Sequence, residues 1–153
     1  MVDGPVGNST IMEKKIKFGI IGCSQIANSS TIPAILESKF AKLEFIGSRT
    51  NSKAKKFASK FDCEKYGTYE DVLNDNQVDA VYISVPIGLH EKWSIRAAKA
   101  GKHILCEKSI SDSFKSAKKM VSESKKYNIR IMEGFMFRFH PSLAKVLDFL
   151  NKK

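Results

Sequence analysis

The sequence predicts an α/β domain, a doubly wound parallel sheet with helices on both faces. Three observations point there. Short apolar runs alternate with segments of helical periodicity from Lys17 onward. Five or six such runs follow one another along the chain. The segments between them mostly have the dozen or so residues that a crossover between parallel neighbours needs. Right-handed crossovers then leave both sheet faces covered.

The elements follow in order. Phe18-Gly-Ile-Ile-Gly22 is short, apolar and closed by glycine, a buried strand. Residues 26–38 have helical features, with a kink or a late start imposed by Pro33, which lacks an N–H and crowds the preceding turn. Leu43-Glu-Phe-Ile-Gly47 is the second strand. A helix follows, capped by Asn51 or Ser52, with Ala54, Phe57, Ala58 and Phe61 spaced at three and four. Tyr66 marks a very short third strand, and residues 69–74 a small helix.

The second half repeats the pattern. Ala80-Val-Tyr-Ile-Ser-Val85 is a buried strand ended by Pro86. Leu89, Trp93, Ala97 and Ala100 fall on one helical face, closed by Gly101. His103-Ile-Leu-Cys106 is the fifth strand. Phe114, Ala117, Val121 and Ser124 mark the next helix, which ends near Asn128, and Ile129-Arg-Ile-Met132 is the sixth strand. A last helix after Pro141 is expected to turn Leu143, Val146, Leu147 and Leu150 inward.

Composition narrows the class. At 153 residues, 42% of them apolar, the chain suits one domain with a real core rather than a disordered segment. No stretch approaches the roughly 18 apolar residues of a membrane span. Cys23, Cys63 and Cys106 are odd in number and far apart, so neither a metal site nor a disulfide framework is expected, and a cytoplasmic setting fits. Residues 1–14 read as a flexible tail without secretory features, leaving 15–153 as the domain. The formal charge is +10, from 26 Lys plus Arg against 16 Asp plus Glu. Nearly all of it is lysine scattered along helical segments, and no nucleic-acid signature accompanies it. Anionic small ligands, phosphates included, are the expected beneficiaries; neither nucleic acid nor a membrane is an expected partner.

In doubly wound sheets, ligands bind outside the carboxyl ends of the strands. After strand one stand Gly22, Cys23, Ser24, Gln25, Ile26 and Ala27. A small-residue turn before a helix N-terminus lets backbone approach a pyrophosphate, although Ser24 replaces the middle glycine of the usual pattern. After strand two, Ser48-Arg49-Thr50 places an arginine where an acidic residue would favour NAD, so NADP is the favoured cofactor. Ser84, Pro86 and His90 line the same end after strand four, and Glu107-Lys108 follow strand five. Plainer roles stand beside these: strand–helix packing for the small residues, a cap for His90, a surface pair for Glu107 and Lys108. After strand six, Phe135, Met136, Phe137 and Phe139 surround Arg138, either as a core turn or as a surface for another domain or subunit.

Taken together, Gly22-Cys-Ser-Gln-Ile-Ala27, Gly47-Ser-Arg49, Val81-Tyr-Ile-Ser-Val-Pro86 with Leu89-His90, Ala100-Gly-Lys-His-Ile-Leu-Cys-Glu-Lys108 and Met132-Glu-Gly-Phe-Met-Phe-Arg-Phe-His-Pro141 occur in one order. This resembles the N-terminal half of the glucose-fructose oxidoreductase / inositol dehydrogenase (Gfo/Idh/MocA) family, nearest its dihydrodiol-dehydrogenase-like branch. The resemblance covers about residues 15–150. It implies a Rossmann-like fold, NADP (or NAD) as cofactor, and hydride transfer to or from a sugar, cyclitol or related alcohol or carbonyl. It also implies that Lys108 contacts substrate and nicotinamide ribose as the catalytic residue, that Glu107 helps hold the ribose, and that Arg138 sits at the cofactor or domain junction.

The chain departs from the family in three places. Ser109 stands where the family usually has proline, commonly with a cis peptide bond, and Ile87 stands where it often has asparagine. The family's C-terminal α+β domain does not follow residue 151, and His103 and His140 do not match its catalytic histidine. The expectation is therefore a single cofactor-binding domain, incomplete as a catalyst alone, partnered by a sugar-like substrate and by a homo-oligomer or a separate C-terminal domain. The alternative is a non-catalytic nucleotide-binding or sensor module that docks a partner through residues 135–139.

Overall fold

The structure, a computed structural model, describes residues 14–152. All but the last residue of the expected tail therefore lies outside the described residues. Six strands form one sheet: β1 (Ile16–Ile21), β2 (Ala41–Gly47), β3 (Tyr66–Gly67), β4 (Ala80–Ile83), β5 (His103–Cys106) and β6 (Ile131–Glu133). Their order is β3-β2-β1-β4-β5-β6, and every neighbouring pair is parallel. The order reverses between β1 and β4, which opens a crevice at their carboxyl ends.

Six α-helices make the crossovers and the C-terminal segment: α1 (Ile32–Glu37), α2 (Asn51–Lys60), α3 (Tyr69–Asn74), α4 (His90–Lys99), α5 (Phe114–Lys126) and α6 (Pro141–Asn151). Successive strand residues point to opposite faces, and the core divides accordingly. Ile21, Val81, Ile83, Ile104 and Cys106 pack with Tyr69 and Val72 of α3, Trp93 and Ala97 of α4 and Met120 of α5. Ile20, Leu43, Ile46 and Tyr82 pack on the other face with Ile32, Ile35 and Ala58. Burial on both faces is why the strands read as continuous apolar runs.

Several boundaries differ from expectation, each for a local reason. A π-helical turn, Ala27–Thr31, precedes α1. Pro33, at the start of α1, has no N–H to donate and its ring crowds the carbonyl four residues back, and the wider turn relieves that conflict. Thr50, not Asn51 or Ser52, is the N-cap of α2. The β4 ladder ends at Ile83 rather than Val85. Strand β6 begins two residues late because Asn128, at φ 52°, and the Ile129 N–H bond to Ser124 complete the end of α5.

Two helix faces also differ. The buried side of α5 is Ser116, Met120 and Ser124, while Phe114 is 84% exposed. Helices α4 and α5 pack on each other. Their buried sides include small residues, Ser94, Ala97 and Ala98 on α4 and Ser116 and Ser124 on α5, which lets them approach closely while Phe114 stays outside. Helix α6 does not turn its apolar side inward. Leu143 is half-buried, whereas Val146, Leu147 and Leu150 are exposed, because the helix follows the short 3-10 turn Met136–Phe139 away from the sheet.

Candidate functional site

The carboxyl ends of β1, β2 and β4 are knitted together by backbone. Gly22 N–H donates to the Gly47 carbonyl at 3.2 Å, and Ser84 N–H to the Ile21 carbonyl at 3.0 Å. Gly22 has φ +111°, and a Cβ there would lie 3.0 Å from Ser84 C and Val85 N. Only glycine fits this turn without strain. Ser24 then caps the helix, its Oγ accepting from Ala27 N–H at 3.1 Å. Ala27 is fully buried, so the third small residue of the turn serves helix–sheet packing.

A cleft of about 540 Å³ opens above this turn. Its floor includes Gly22, Cys23 and Ser24, and its far wall Ser48, Arg49, Thr50 and Lys53. Ser48 is buried and donates its N–H to Gly67, while Arg49 and Thr50 are exposed at the start of α2. The Thr50 side chain makes no cap bond, so two cations and a helix N-terminus face the same end of the cleft. Tyr69 closes one side, edge-on to Trp93 at 4.8 Å. Burial raises the Tyr69 phenol pKa and nearby Arg49 opposes the shift, so the ring is a neutral wall at neutral pH. Pro86 and Ser84 complete the cleft on the β4 side.

A second cleft, about 350 Å³, shares Ser84 and Val85 with the first and continues over β4 to Glu107 and Lys108. The two make one groove across the strand ends, with Gly22 and Lys108 at the same end of the sheet. Lys108 is exposed. Glu107 is tethered below it: one oxygen accepts from the Tyr82 hydroxyl at 2.6 Å, the other from Lys108 N–H at 3.2 Å. Burial, then the bond to Glu107, raises the Tyr82 phenol pKa well above its usual range, so Tyr82 stays the donor. The Lys108–Ser109 peptide is cis.

The structure brings Gly22, Ser24, Ile26, Ser48, Arg49, Ser84, Pro86, His90, Glu107 and Lys108 to this groove. Gln25 is exposed in the first helical turn and lines neither cleft, and neither does Arg138, which is exposed in the 3-10 turn. Cys23, Thr50, Lys53, Tyr69, Val85, Ile87 and Met136 line it without having been singled out for it. Lys53 could have been found from its place in the first turn of α2. Tyr69 could have been found from its place two residues after β3, the position Arg49 has after β2.

A glycine cradle at the point where strand order reverses, a helix start beyond it and a groove across the strand ends are the features of a Rossmann-type nucleotide-binding domain. The chain belongs to the GFO_IDH_MocA oxidoreductase family, NAD-binding Rossmann fold, which it matches over residues 16–135. It is 35% identical over 137 residues to the dTDP-3,4-didehydro-2,6-dideoxy-alpha-D-glucose 3-reductase of Actinomadura kijaniata, covering 90% of this chain and 41% of that protein. It is 30% identical over 143 residues to the trans-1,2-dihydrobenzene-1,2-diol dehydrogenase of Xenopus tropicalis, covering 90% and 42%. The crystal structure of KijD10, a 3-ketoreductase from Actinomadura kijaniata in complex with TDP-benzene and NADP, superposes with a TM-score of 0.86 at 34% identity, over 91% of this chain and 44% of that one. The chain thus spans about two fifths of the length of the relatives it matches. Among the described residues, no helix is long and apolar enough to cross a membrane.

Proposed function

We propose that this chain is the NADP(H)-binding domain of an oxidoreductase acting on a sugar, cyclitol or related alcohol or carbonyl. The single observation that carries the reading is the continuous groove from Arg49 past Gly22 and Ser84 to Lys108. The residues fit a dinucleotide. Gly22 lets the turn close against Ser84 and Val85, and it lies on the cleft floor. Ser24 and the following helix start present N–H groups toward a pyrophosphate, and Arg49, Thr50 and Lys53 suit a ribose 2′-phosphate. When bound, the nicotinamide supplies the hydride donor or acceptor.

The chain's own residues bind and orient. The Lys108 amine lies within the nicotinamide half, where it holds the substrate oxygen and takes or returns its proton. Tyr82 and Glu107 fix the backbone beneath that amine. Lys108 is open to water, and efficient hydride transfer needs a dry, oriented substrate. By themselves these residues therefore make an incomplete catalyst, and a cover over Lys108, from a separate domain or a second subunit, completes the site. The three free thiols, two of them buried, suit a reducing, cytoplasmic setting.

A second reading, a non-catalytic nucleotide sensor, is favoured by the exposure of Met136, Phe137 and Phe139, which would dock a partner. Titration calorimetry with NADPH and NADH, on the wild type and Arg49→Ala, tests the first. The wild type should prefer NADPH, and the substitution should weaken NADPH about 10- to 100-fold while sparing NADH. Equal losses for both cofactors, or no binding of either to the wild type, would overturn it. A steady-state rate that survives Lys108→Ala would favour neither reading of the groove.

A further inference from the structure

His90 is 2% exposed, yet it is not buried among apolar groups alone. Three backbone carbonyl oxygens face its ring. Nε2 lies 2.8 Å from Val85 O, while Nδ1 lies 3.0 Å from Ser109 O and 3.3 Å from Ile110 O. Val85 belongs to the loop after β4, and Ser109 and Ile110 to the loop after β5. The ring therefore spans the two loops that form the nicotinamide half of the groove. From the opposite side, Glu133 of β6 accepts the Ile110 N–H at 2.7 Å. The dipeptide immediately following Lys108 is thus held from both flanks.

We infer that His90 is a positioning residue, which staples the Lys108 loop to β4 and so sets where the Lys108 amine stands over the cofactor. Its burial, and the engagement of both nitrogens with backbone, leave the ring nothing to offer a ligand directly. A histidine suits the task because whichever nitrogen carries the proton donates to one loop, while the rigid ring wedges against the carbonyl of the other. Leaving these carbonyls unpaired in a buried setting frees the loop rather than the whole sheet, since Val85 and Ser109 both lie beyond the strand ladders.

The inference rests on the cofactor reading above, and the test separates the two. Full-length chain is titrated with NADPH, followed by the fluorescence of its dihydronicotinamide, and with 2′,5′-ADP, which occupies the Gly22–Arg49 half alone. His90→Phe keeps a ring of similar size and removes both nitrogens; His90→Gln restores an amide N–H donor. His90→Phe should weaken NADPH about tenfold and abolish its fluorescence change, with 2′,5′-ADP affinity within about twofold of wild type and His90→Gln intermediate. Equal loss of both ligands, or no loss of either, would overturn the positioning role. Failure of the wild type to bind either ligand would instead overturn the cofactor reading.

Discussion

The Ser84 hydroxyl donates to the Gly22 carbonyl at 2.8 Å, joining the first residue after β1 to the first residue after β4. This bond lies where the strand order reverses, and Ser84 is shared by both halves of the groove. The joint demands glycine on one side, because the Gly22 conformation and its 3.0 Å approach to Ser84 and Val85 leave no room for Cβ. Gly22→Ala should cost about 1–3 kcal/mol of stability, through left-handed backbone strain and displacement of the β4 loop. Denaturant unfolding measures the cost, and NADPH titration should show weakened binding in the same variant. A neutral result in both would mean that the turn is not held as described.

Buried acids predict an alkaline limit. Burial pushes the Cys106 thiol up to about 12 from an ordinary 9.0, and it also raises Cys23 and Tyr82. The folded state holds these protons more tightly than the unfolded state does. Their contribution to stability is full below the unfolded values and is lost as pH rises through the folded ones. Melting temperature should therefore fall between pH 9.0 and about 12, and Cys106→Ala should make the decline shallower. A flat profile across that window would contradict the burial argument.

The acid side has the opposite sign. Asp71 accepts from the Thr68 N–H and hydroxyl, both at 2.7 Å, and the backbone bond is the larger cause of its lowered pKa. Its contribution is present above the unfolded carboxylate value and lost as pH falls through the folded one. Asp71→Asn should flatten the acid decline in melting temperature while breaking the capping box at the start of α3. An unchanged acid limb would assign acid sensitivity elsewhere.

The apolar surface of the C-terminal segment predicts self-association. Phe137 and Phe139 are exposed on the 3-10 turn, and Val146, Leu147, Phe149 and Leu150 on α6. Sedimentation velocity should show association growing with concentration, and Phe137→Ser with Phe139→Ser should reduce it. A clean monomer at high concentration would mean that this surface does not drive association.

The parallel sheet was legible because its strands are buried on both faces, so Ile20 and Ile21 belong to different cores yet adjoin in one apolar run. The groove was legible where residues stand within two positions of a strand's carboxyl end, as Gly22, Arg49 and Lys108 do. Tyr69 stands two residues beyond β3 and falls under the same rule, but a strand of two residues, Tyr66–Gly67, gives little pattern to mark its end. The inward face of α6 failed for a different reason. Periodicity reports that a helix has an apolar side, but not that the sheet lies within its reach. On α5, close approach to α4 favoured Ser116 and Ser124 over the larger Phe114, an outcome set by shape rather than hydrophobicity.

The account turns on one dinucleotide bridging the Gly22 turn and the Lys108 loop. Amide hydrogen exchange of the full chain, with and without saturating NADPH, tests it most directly. The account predicts that peptides covering residues 22–27 and residues 106–110 both gain protection, while α6 does not. Protection confined to one of those segments, or found only elsewhere, would contradict it.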